Sequence, residues 1–298
     1  MNGARVPAGR SQKAHLFRGA FTEPPSSFFS SDLHQASAGY SYFAPTLHNN
    51  IPGDNMFAVL QTAESKSVFS RSKIHSRRIT LPSGEAFFIV YVSCRKNNIP
   101  WKKLERCLGV LRKDIILPDD TKIADKVNVT AFEPGILPGI ILMNTAADYM
   151  LKNKPFMCGS LTVIDEKGTY QSYIEKLIKC FSSIKVITPK ASEYEDVARK
   201  LLEDYGFSLL VSDEDSFESD VIISENCNVP SYYSGKVMSI KKKYIMNAEV
   251  FTGSGIELPE EYEKLCPDNI DRLLFASALY EKCGVKEMSS LRYSKFEC

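Results

Sequence analysis

The order of hydrophobic and polar positions divides this chain of 298 residues into an early part with mixed patterns and a later part with a regular one. Between Met56 and about Asn153, short apolar and β-branched runs predict strands at 57–62, 77–81 and 86–93. Pro82-Ser83-Gly84 has turn chemistry, so the last two strands are expected to form a hairpin.

Two helices and one more strand are predicted in the same part. Pro100 suits the first position of a helix, and an apolar stripe at spacings of three and four residues follows, at Trp101, Leu104, Leu108 and Leu111. Residues 126–132 alternate as a strand, and a helix is expected through residues 141–151. Together these elements predict a small α+β domain over residues 54–155.

From residue 161 onward, short apolar runs alternate with helical patterns. Strands are predicted at 161–164, 185–188, 208–211, 221–224 and 236–240, with helices at 169–181 and 192–206. Ser192 and Glu195 have the spacing of a capping box, and Gly206 is placed to end that helix. Parallel strands need such crossovers, so we predict a parallel sheet covered on both faces.

The fold class predicted from these patterns is α/β, with the parallel-sheet domain over residues 156–298. Its last helix is expected to begin at Asp268 or Asn269 and to end at Gly284. Residues 1–53 differ, since 17 of them are serine, glycine or proline and no periodicity persists. We expect a flexible leader there. A transit peptide and a segment that becomes ordered on a partner are the alternatives.

Composition excludes several classes of protein. With 44% hydrophobic residues and a net charge of +1, the chain is neither wholly disordered nor, as a whole, an obvious polyanion binder. Its longest apolar stretch, 136–143, is far shorter than the roughly twenty residues of a membrane span, so no membrane partner is expected. The eight cysteines are at least 13 residues apart, which excludes a CxxC metal motif. Reduced thiols and a cytoplasmic location are expected.

Residues 161–224 resemble a Rossmann-type half of the dehydrogenase superfamily. The run LTVID is followed by a helix, by KVITP, by a second helix ending in EDYG, by FSLLVSD and by SDVIIS. The last piece is similar to the strand that lies beside the cofactor in such enzymes. An α+β domain before this unit is similar to the order in shikimate-dehydrogenase-like proteins. The resemblance implies a Rossmann-like sheet, a bound dinucleotide and an oxidoreductase-like activity.

The first turn of this unit departs from the dinucleotide-binding pattern. Glycines are needed there so that the backbone can approach a pyrophosphate, but residues 165–169 read DEKGT. Asp165 and its acidic neighbour would repel a pyrophosphate. Thr188 and Lys190 stand where NAD-specific enzymes carry an acidic residue, so a bound dinucleotide is expected to be NADP. Asp165, Gly168, Thr169, Thr188 and Lys190 are therefore candidate cofactor-binding residues.

A second glycine-rich segment, Thr252-Gly253-Ser254-Gly255, follows a predicted strand at 245–251. The N–H groups of such a loop can hold a phosphate, and ligands of open α/β folds bind at the carboxyl edge of the sheet. Gly253 and Gly255 are added to the candidate ligand-binding residues, with a plain turn as the alternative.

Charge is unevenly distributed along the chain. Residues 66–113 hold twelve basic residues against two acidic ones, and residues 193–220 hold ten acidic residues against two basic ones. The first segment suggests a polyanion-binding surface made of Arg77, Arg78, Arg95, Lys96, Lys102 and Lys103. Few aromatic residues accompany it, so a nucleic acid is not favoured as the partner. We interpret the acidic residues 213–220 as a solvated loop rather than a cation site, and His75 as a surface residue.

Three functional hypotheses follow. The first is a nucleotide- or NADP-binding, oxidoreductase-like protein with a small-molecule ligand in a cleft between the two domains. The second is a non-catalytic regulatory or interaction protein on a Rossmann scaffold that lost its glycine loop. The third is a polyanion-binding protein. The sequence assigns no catalytic residue, no metal, no substrate and no oligomeric state.

Overall fold

A computed structural model describes residues 56–64, 73–94, 98–153, 159–213 and 217–298. All of these residues belong to one compact unit. The predicted leader, and Arg95 and Lys96 of the predicted basic surface, therefore lie outside the described residues.

The first four strands of the described residues form a small sheet. They are β1 (Ala58–Glu64), β2 (Lys73–Thr80), β3 (Ala86–Cys94) and β4 (Ile115–Ile116), in the order β2-β3-β1-β4. β2 and β3 are antiparallel, which confirms the predicted hairpin, whereas β1 is parallel to β3 and to β4. The hairpin turn requires Gly84, whose φ of 97° is disfavoured for residues with a Cβ atom.

The first helix confirms the apolar stripe predicted after Pro100. Helix α1 (Trp101–Leu108) buries Trp101, Leu104 and Leu108 in a cluster with Phe88 and Val90 of β3. A 3-10 turn, Gly109–Lys113, continues the helix and connects it to β4.

The strand predicted at 126–132 is wrong. Within that segment Ala131 forms an isolated bridge with Ile115, and Lys126 adopts a φ of 64° that interrupts an extended backbone. Val129 and Phe132 are buried in two different hydrophobic clusters. The alternation of apolar residues therefore reflects packing on two sides of an irregular segment, and not one face of a sheet.

The remaining elements build a seven-stranded sheet with helices. In chain order they are α2 (Leu137–Lys152), β5 (Gly159–Ile164), α3 (Gln171–Leu177), β6 (Phe181–Ile187), α4 (Glu195–Tyr205), β7 (Leu209–Ser212), β8 (Val221–Ser224), β9 (Lys236–Ser239), β10 (Glu249–Ile256), α5 (Glu260–Glu263), α6 (Arg272–Cys283) and β11 (Tyr293–Glu297). The strand order is β11-β10-β9-β8-β5-β6-β7, and only β11 is antiparallel to its neighbour.

This strand order identifies the fold. From β5 the chain proceeds outward to β6 and β7, and then continues on the other side of β5 through β8, β9 and β10. Numbered from β5, the parallel strands have the order 3-2-1-4-5-6, which is that of the Rossmann fold. The order reverses between β5 and β8, where ligands of such folds bind. The predicted α/β class with a Rossmann-like parallel sheet is confirmed.

The two faces of this sheet are covered differently. Helices α2, α3, α4 and α6 share one hydrophobic cluster with Val163, Val186 and Met238 on one face. On the opposite face Ile222 and Val237 pack against residues of the connections 225–235 and 240–248, and no described residue of that cluster lies in a helix. Both faces are covered as predicted, but the helices of the described residues cover only one of them.

One core connects the small sheet with the helices of the later part. The ring of Phe87 stacks on Phe57 at a centroid distance of 5.0 Å and meets the edge of Phe275 in α6 at 5.4 Å. The predicted boundary between residues 155 and 156 falls within 154–158, outside the described residues, so the division into two domains stays a prediction.

Some predicted helix ends differ from the structure. Helix α3 stops at Leu177, and Phe181 is already the first residue of β6. Helix α4 begins at Glu195 after a 3-10 turn rather than at a Ser192 capping box. The last helix begins after Asp271, whose side chain accepts the N–H of Leu274 at 2.9 Å. Gly206 and Gly284, with φ of 63° and 68°, end α4 and α6 as predicted.

Candidate functional site

The turn between β5 and α3 is organised by a buried carboxylate. Asp165 follows the last residue of β5 and is 1% exposed. Its Oδ2 accepts the backbone N–H groups of Thr169 at 2.6 Å and Tyr170 at 2.9 Å, and its Oδ1 accepts that of Lys167 at 3.1 Å. In a dinucleotide-binding fold, N–H groups at this position bind the pyrophosphate. Here an aspartate of the chain itself binds them.

A phenol completes the environment of this carboxylate. The hydroxyl of Tyr194, in the 3-10 turn after β6, donates to Asp165 Oδ2 at 2.5 Å, and Tyr194 is fully buried. Burial and the adjacent carboxylate raise the pKa of Tyr194 far above its ordinary value, so the phenol stays protonated. The four donors together satisfy a charge that would otherwise be costly to bury.

Five of the seven candidate residues lie together at the carboxyl ends of β5 and β6. Gly168 has a φ of 65°, and a Cβ atom there would lie 3.0 Å from Cβ of Lys190, so the lysine side chain covers the glycine. The N–H of Lys190 donates to Oγ1 of the buried Thr188 at 3.1 Å. Thr169 places its hydroxyl in the same region, buried and without a partner in the described part of the chain.

Gly253 and Gly255 are not in a loop, and that part of the prediction is wrong. Both belong to β10, where Gly253 is paired with Phe296 of β11. β10 is three strands from β5 in the sheet, roughly 14 Å at the usual spacing of about 4.8 Å. A Cβ at Gly253 would lie 2.1 Å from the ring of Tyr293, so this glycine permits the aromatic ring to pack on the strand.

The two β10 glycines line a separate cavity of about 540 Å³. Its arginine, Arg272, is bound to Glu263, with Nε to Oε1 at 2.9 Å, so its charge is already neutralised. Burial raises the pKa of Cys266 in the wall to about 12, so that thiol is protonated at neutral pH. This cavity therefore offers neither a cationic phosphate-binding site nor a thiolate nucleophile.

A second polar cluster lies across the switch point from Asp165. Glu225 directly follows β8; the ammonium of Lys167 donates to its Oε2 at 2.9 Å, and the hydroxyl of Tyr170 donates to its Oε1. Lys167 also donates to the carbonyl of Gly135. Gly139 of α2 makes room for this cluster, because a Cβ there would lie 1.7 Å from the Tyr170 hydroxyl.

Burial has the largest effect on the pKa of Glu225. It raises the pKa of Glu225 above its ordinary value; the Lys167 ammonium opposes this, while Asp165 and Glu166 reinforce it. Sequence analysis missed Glu225, Tyr170 and Tyr194. For Glu225 a signal was present, since it is the first residue after a predicted strand and so belongs to the carboxyl edge.

The N-terminus of α2 is also closed by a carboxylate of the chain. Glu281, on α6, accepts the N–H groups of Ile136 at 2.7 Å and Leu137 at 3.1 Å through Oε1, and that of Gly135 at 2.9 Å through Oε2. A carboxylate at this end of a helix interacts favourably with the helix dipole. Two helix N-termini, those of α2 and α3, thus have internal anionic partners.

A cleft of about 250 Å³ is open between the carboxyl ends of β5, β6 and β7. Its polar walls are Thr188, Asn228 and two carboxylates, Glu166 and Asp213, and its apolar walls are Ile164, Ile187 and Pro189. Asn228 Nδ2 donates to Glu166 Oε1 at 2.8 Å. Among the residues that the structure describes, none of those lining the cleft is cationic. The cleft is suited to a ligand with hydroxyl or ammonium donors and an apolar ring.

The other predicted features are dispersed, and some of them lie outside the described residues. Arg77 and Arg78 are successive residues of β2, so they point to opposite faces and do not build one basic surface. His75 is exposed on β2 and stacks on Tyr91 at 4.7 Å. Asp220 accepts the N–H of Ser160 at 2.7 Å, and residues 214–216 of the acidic segment lie outside the described residues.

Within the described ranges, no group of three or more histidine, cysteine or acidic residues is arranged to hold a metal ion. The seven cysteines described there are free thiols. Among the helices of the same ranges, none is long and apolar enough to cross a membrane. The cytoplasmic location stays a prediction.

Comparison with known proteins gives only distant similarities. No protein-family model matches the chain, and no curated protein matches it. Among solved structures, the chain is similar to L-tryptophan dehydrogenase from Nostoc punctiforme, with 9% identity and a TM-score of 0.27, over 51% of this chain and 49% of that one, about half its length. It is also similar to a shikimate dehydrogenase in complex with NADP+, with 13% identity and a TM-score of 0.29, over 68% and 83%. The assignment of the fold therefore rests on the strand order.

Proposed function

We propose that this protein binds a nucleoside-like ligand, with no pyrophosphate on the β5–α3 turn, in the cleft between β5, β6 and β7. The observation that carries the proposal is the position of Asp165, whose carboxylate accepts the three N–H groups that would otherwise bind a phosphate. The turn therefore does not fit the pyrophosphate of NADP, and we derive no redox step through that cofactor.

The size and charge of the cleft support the same ligand class. About 250 Å³ is below the roughly 300–1,000 Å³ of pockets for drug-sized ligands, which suits a nucleoside better than a dinucleotide. Glu166 and Asp213 would accept hydrogen bonds from ribose hydroxyls or from an ammonium group, and they would repel phosphates. Ile164 and Ile187 provide an apolar wall for a base.

Isothermal titration calorimetry tests the proposal with adenosine, S-adenosylmethionine and NADP on the full chain. We expect adenosine or S-adenosylmethionine to bind, and Asp213→Asn to weaken that binding about tenfold, because a hydrogen bond to a charged group contributes about 1.5–3 kcal/mol. Asp119→Asn, an exposed carboxylate elsewhere on the surface, is the matched control and should leave the affinity unchanged. Binding of NADP without either nucleoside, or of none of the three, would refute the proposal.

A second candidate function is a non-catalytic interaction protein. It is favoured by the contacts among Lys167, Tyr170 and Glu225, which close the carboxyl edge beside β8 where the reactive part of a cofactor lies in Rossmann-type enzymes. Absence of binding in the titrations above would favour this candidate.

A further inference from the structure

The sheet face without helices carries an unusual outer surface. Its two covering connections expose Tyr232 at 73%, Tyr244 at 87% and Met246 at 77%, the highest exposures among large hydrophobic residues of the described part. Ile245, between the last two, is 4% exposed and belongs to the hydrophobic cluster below. The buried isoleucine anchors the connection, so its neighbours are held facing the solvent.

Three consecutive lysines precede these residues. Lys241, Lys242 and Lys243 are exposed, and in the described ranges none of them is within ion-pair distance of a carboxylate. The Lys243 ammonium donates to the carbonyl of Cys227 at 3.4 Å. Residues 241–246, here called the basic apolar loop, therefore combine uncompensated positive charge with exposed tyrosine and methionine. Tyrosine and methionine are enriched at protein interfaces.

The same chain carries a surface of the opposite charge. On α4, Leu202 and Tyr205 are 58% and 51% exposed. Exposed acidic residues surround them on α4; these are Glu195, Asp196, Glu203 and Asp204. We call this set the acidic apolar face. The two cations of α4 are already engaged, Arg199 with Asp196 and Lys200 with Glu175.

We propose that the basic apolar loop of one molecule docks on the acidic apolar face of a second copy of this chain. The two surfaces are complementary in charge, and each contributes exposed large hydrophobic residues that association would remove from water. They lie on different elements, 241–246 and α4, so the contact is heterologous. Repetition of such a contact produces rings or open chains of molecules.

Sedimentation velocity of the full chain over a wide concentration range tests the proposal. We expect concentration-dependent association that weakens as salt is added, because the charges are exposed. Reversal of the loop's charge, with K241E, K242E and K243E together, should weaken association by more than about tenfold, since an acidic loop would then face the acidic residues of α4. Reversal of the face, with E195K, D196K, E203K and D204K together, should do the same.

The decisive arm is a mixture of the two reversed variants. Each alone should sediment as a monomer, and the mixture should associate, because the reversed loop and the reversed face are again complementary. K102E with K103E, on the exposed side of α1, is the matched control and should associate like the parent. The proposal is overturned by a parent chain that stays monomeric at all concentrations and salt levels, by association that neither reversal changes, or by a mixture that does not associate. Circular dichroism of each variant verifies that it is folded.

Discussion

The hydroxyl of Tyr194 lies 2.5 Å from the carboxylate of Asp165, and both residues are buried beneath the carboxyl edge of the sheet. Asp165 follows β5, and Tyr194 follows β6, so this contact joins the ends of two neighbouring parallel strands. Together with the three N–H groups of the following turn, it gives the carboxylate four donors. An aspartate of the chain is thus the anionic partner of the backbone N–H groups at this turn.

Removal of the Tyr194 hydroxyl should destabilise the buried Asp165 carboxylate and therefore the folded protein. We expect Tyr194→Phe to lower the free energy of unfolding by about 1–2 kcal/mol, because a buried carboxylate loses one donor. Asp165→Asn should cost more, about 2–3 kcal/mol, since the amide nitrogen cannot accept the N–H groups that the carboxylate accepts. Urea denaturation followed by circular dichroism measures both. Tyr232→Phe, at an exposed tyrosine, is the control, and a loss there equal to that of Tyr194→Phe would contradict the argument.

Gly139 should be intolerant of a side chain. In Gly139→Ala the new Cβ would lie 1.7 Å from the Tyr170 hydroxyl and 2.3 Å from Oε1 of Glu225, so α2 or the cluster must shift. We expect a loss of about 1–3 kcal/mol of stability, the usual cost of overpacking. Combination with Tyr170→Phe should give a smaller total loss than the sum of the two single losses, because the closest atom is then absent. Strict additivity in denaturation experiments would show that the clash is relieved elsewhere.

Glu225 should make the protein less stable as pH rises. Burial raises the pKa of Glu225, so the folded protein holds this proton more tightly than the unfolded chain, whose glutamate has a pKa of about 4.3. The free energy of unfolding therefore falls as pH rises from about 4.3 through the raised pKa. Glu225→Gln does not titrate, so its stability relative to the parent should increase across this window. Denaturation at a series of pH values measures the difference, and a difference independent of pH would disprove the effect.

Glu281 should stabilise α2 from a distance of about 145 positions in sequence. We expect Glu281→Gln to lower the free energy of unfolding by about 1 kcal/mol, because a charged acceptor at a helix N-terminus is replaced by a neutral one. Added salt should reduce the difference between the variant and the parent. Glu287→Gln, an exposed glutamate outside α6, serves as the control. Equal losses for the two variants would show that the contact with α2 is not the cause.

Much of the fold could be predicted because its strands and helices have clear local signals. The runs at 161–164, 185–188 and 208–211 are short and apolar, and their parallel pairing is observed. The prediction of a strand at 126–132 was wrong because alternating burial arises in any extended segment between two hydrophobic clusters, whether or not the segment has a hydrogen-bonded neighbouring strand. The prediction of a loop at Gly253 and Gly255 was wrong for a related reason. A glycine is needed at position 253 because the ring of Tyr293, 40 positions away in sequence, packs on the strand there.

The sequence alone determined most of the strands and helices, and it placed Asp165 and Gly168 in the turn after one strand and Lys190 after the next strand, because hydrophobic period and turn chemistry are local properties. Only the tertiary structure decided what the Asp165 carboxylate does. Whether it repels a ligand or binds the chain's own N–H groups depends on the path of the backbone and on Tyr194. The turn after a second strand positions the Tyr194 hydroxyl beside the carboxylate. The contacts of Glu225 and Glu281 were decided in the same way, since their partners are 55 or more positions distant in sequence and meet only when the sheet and helices pack.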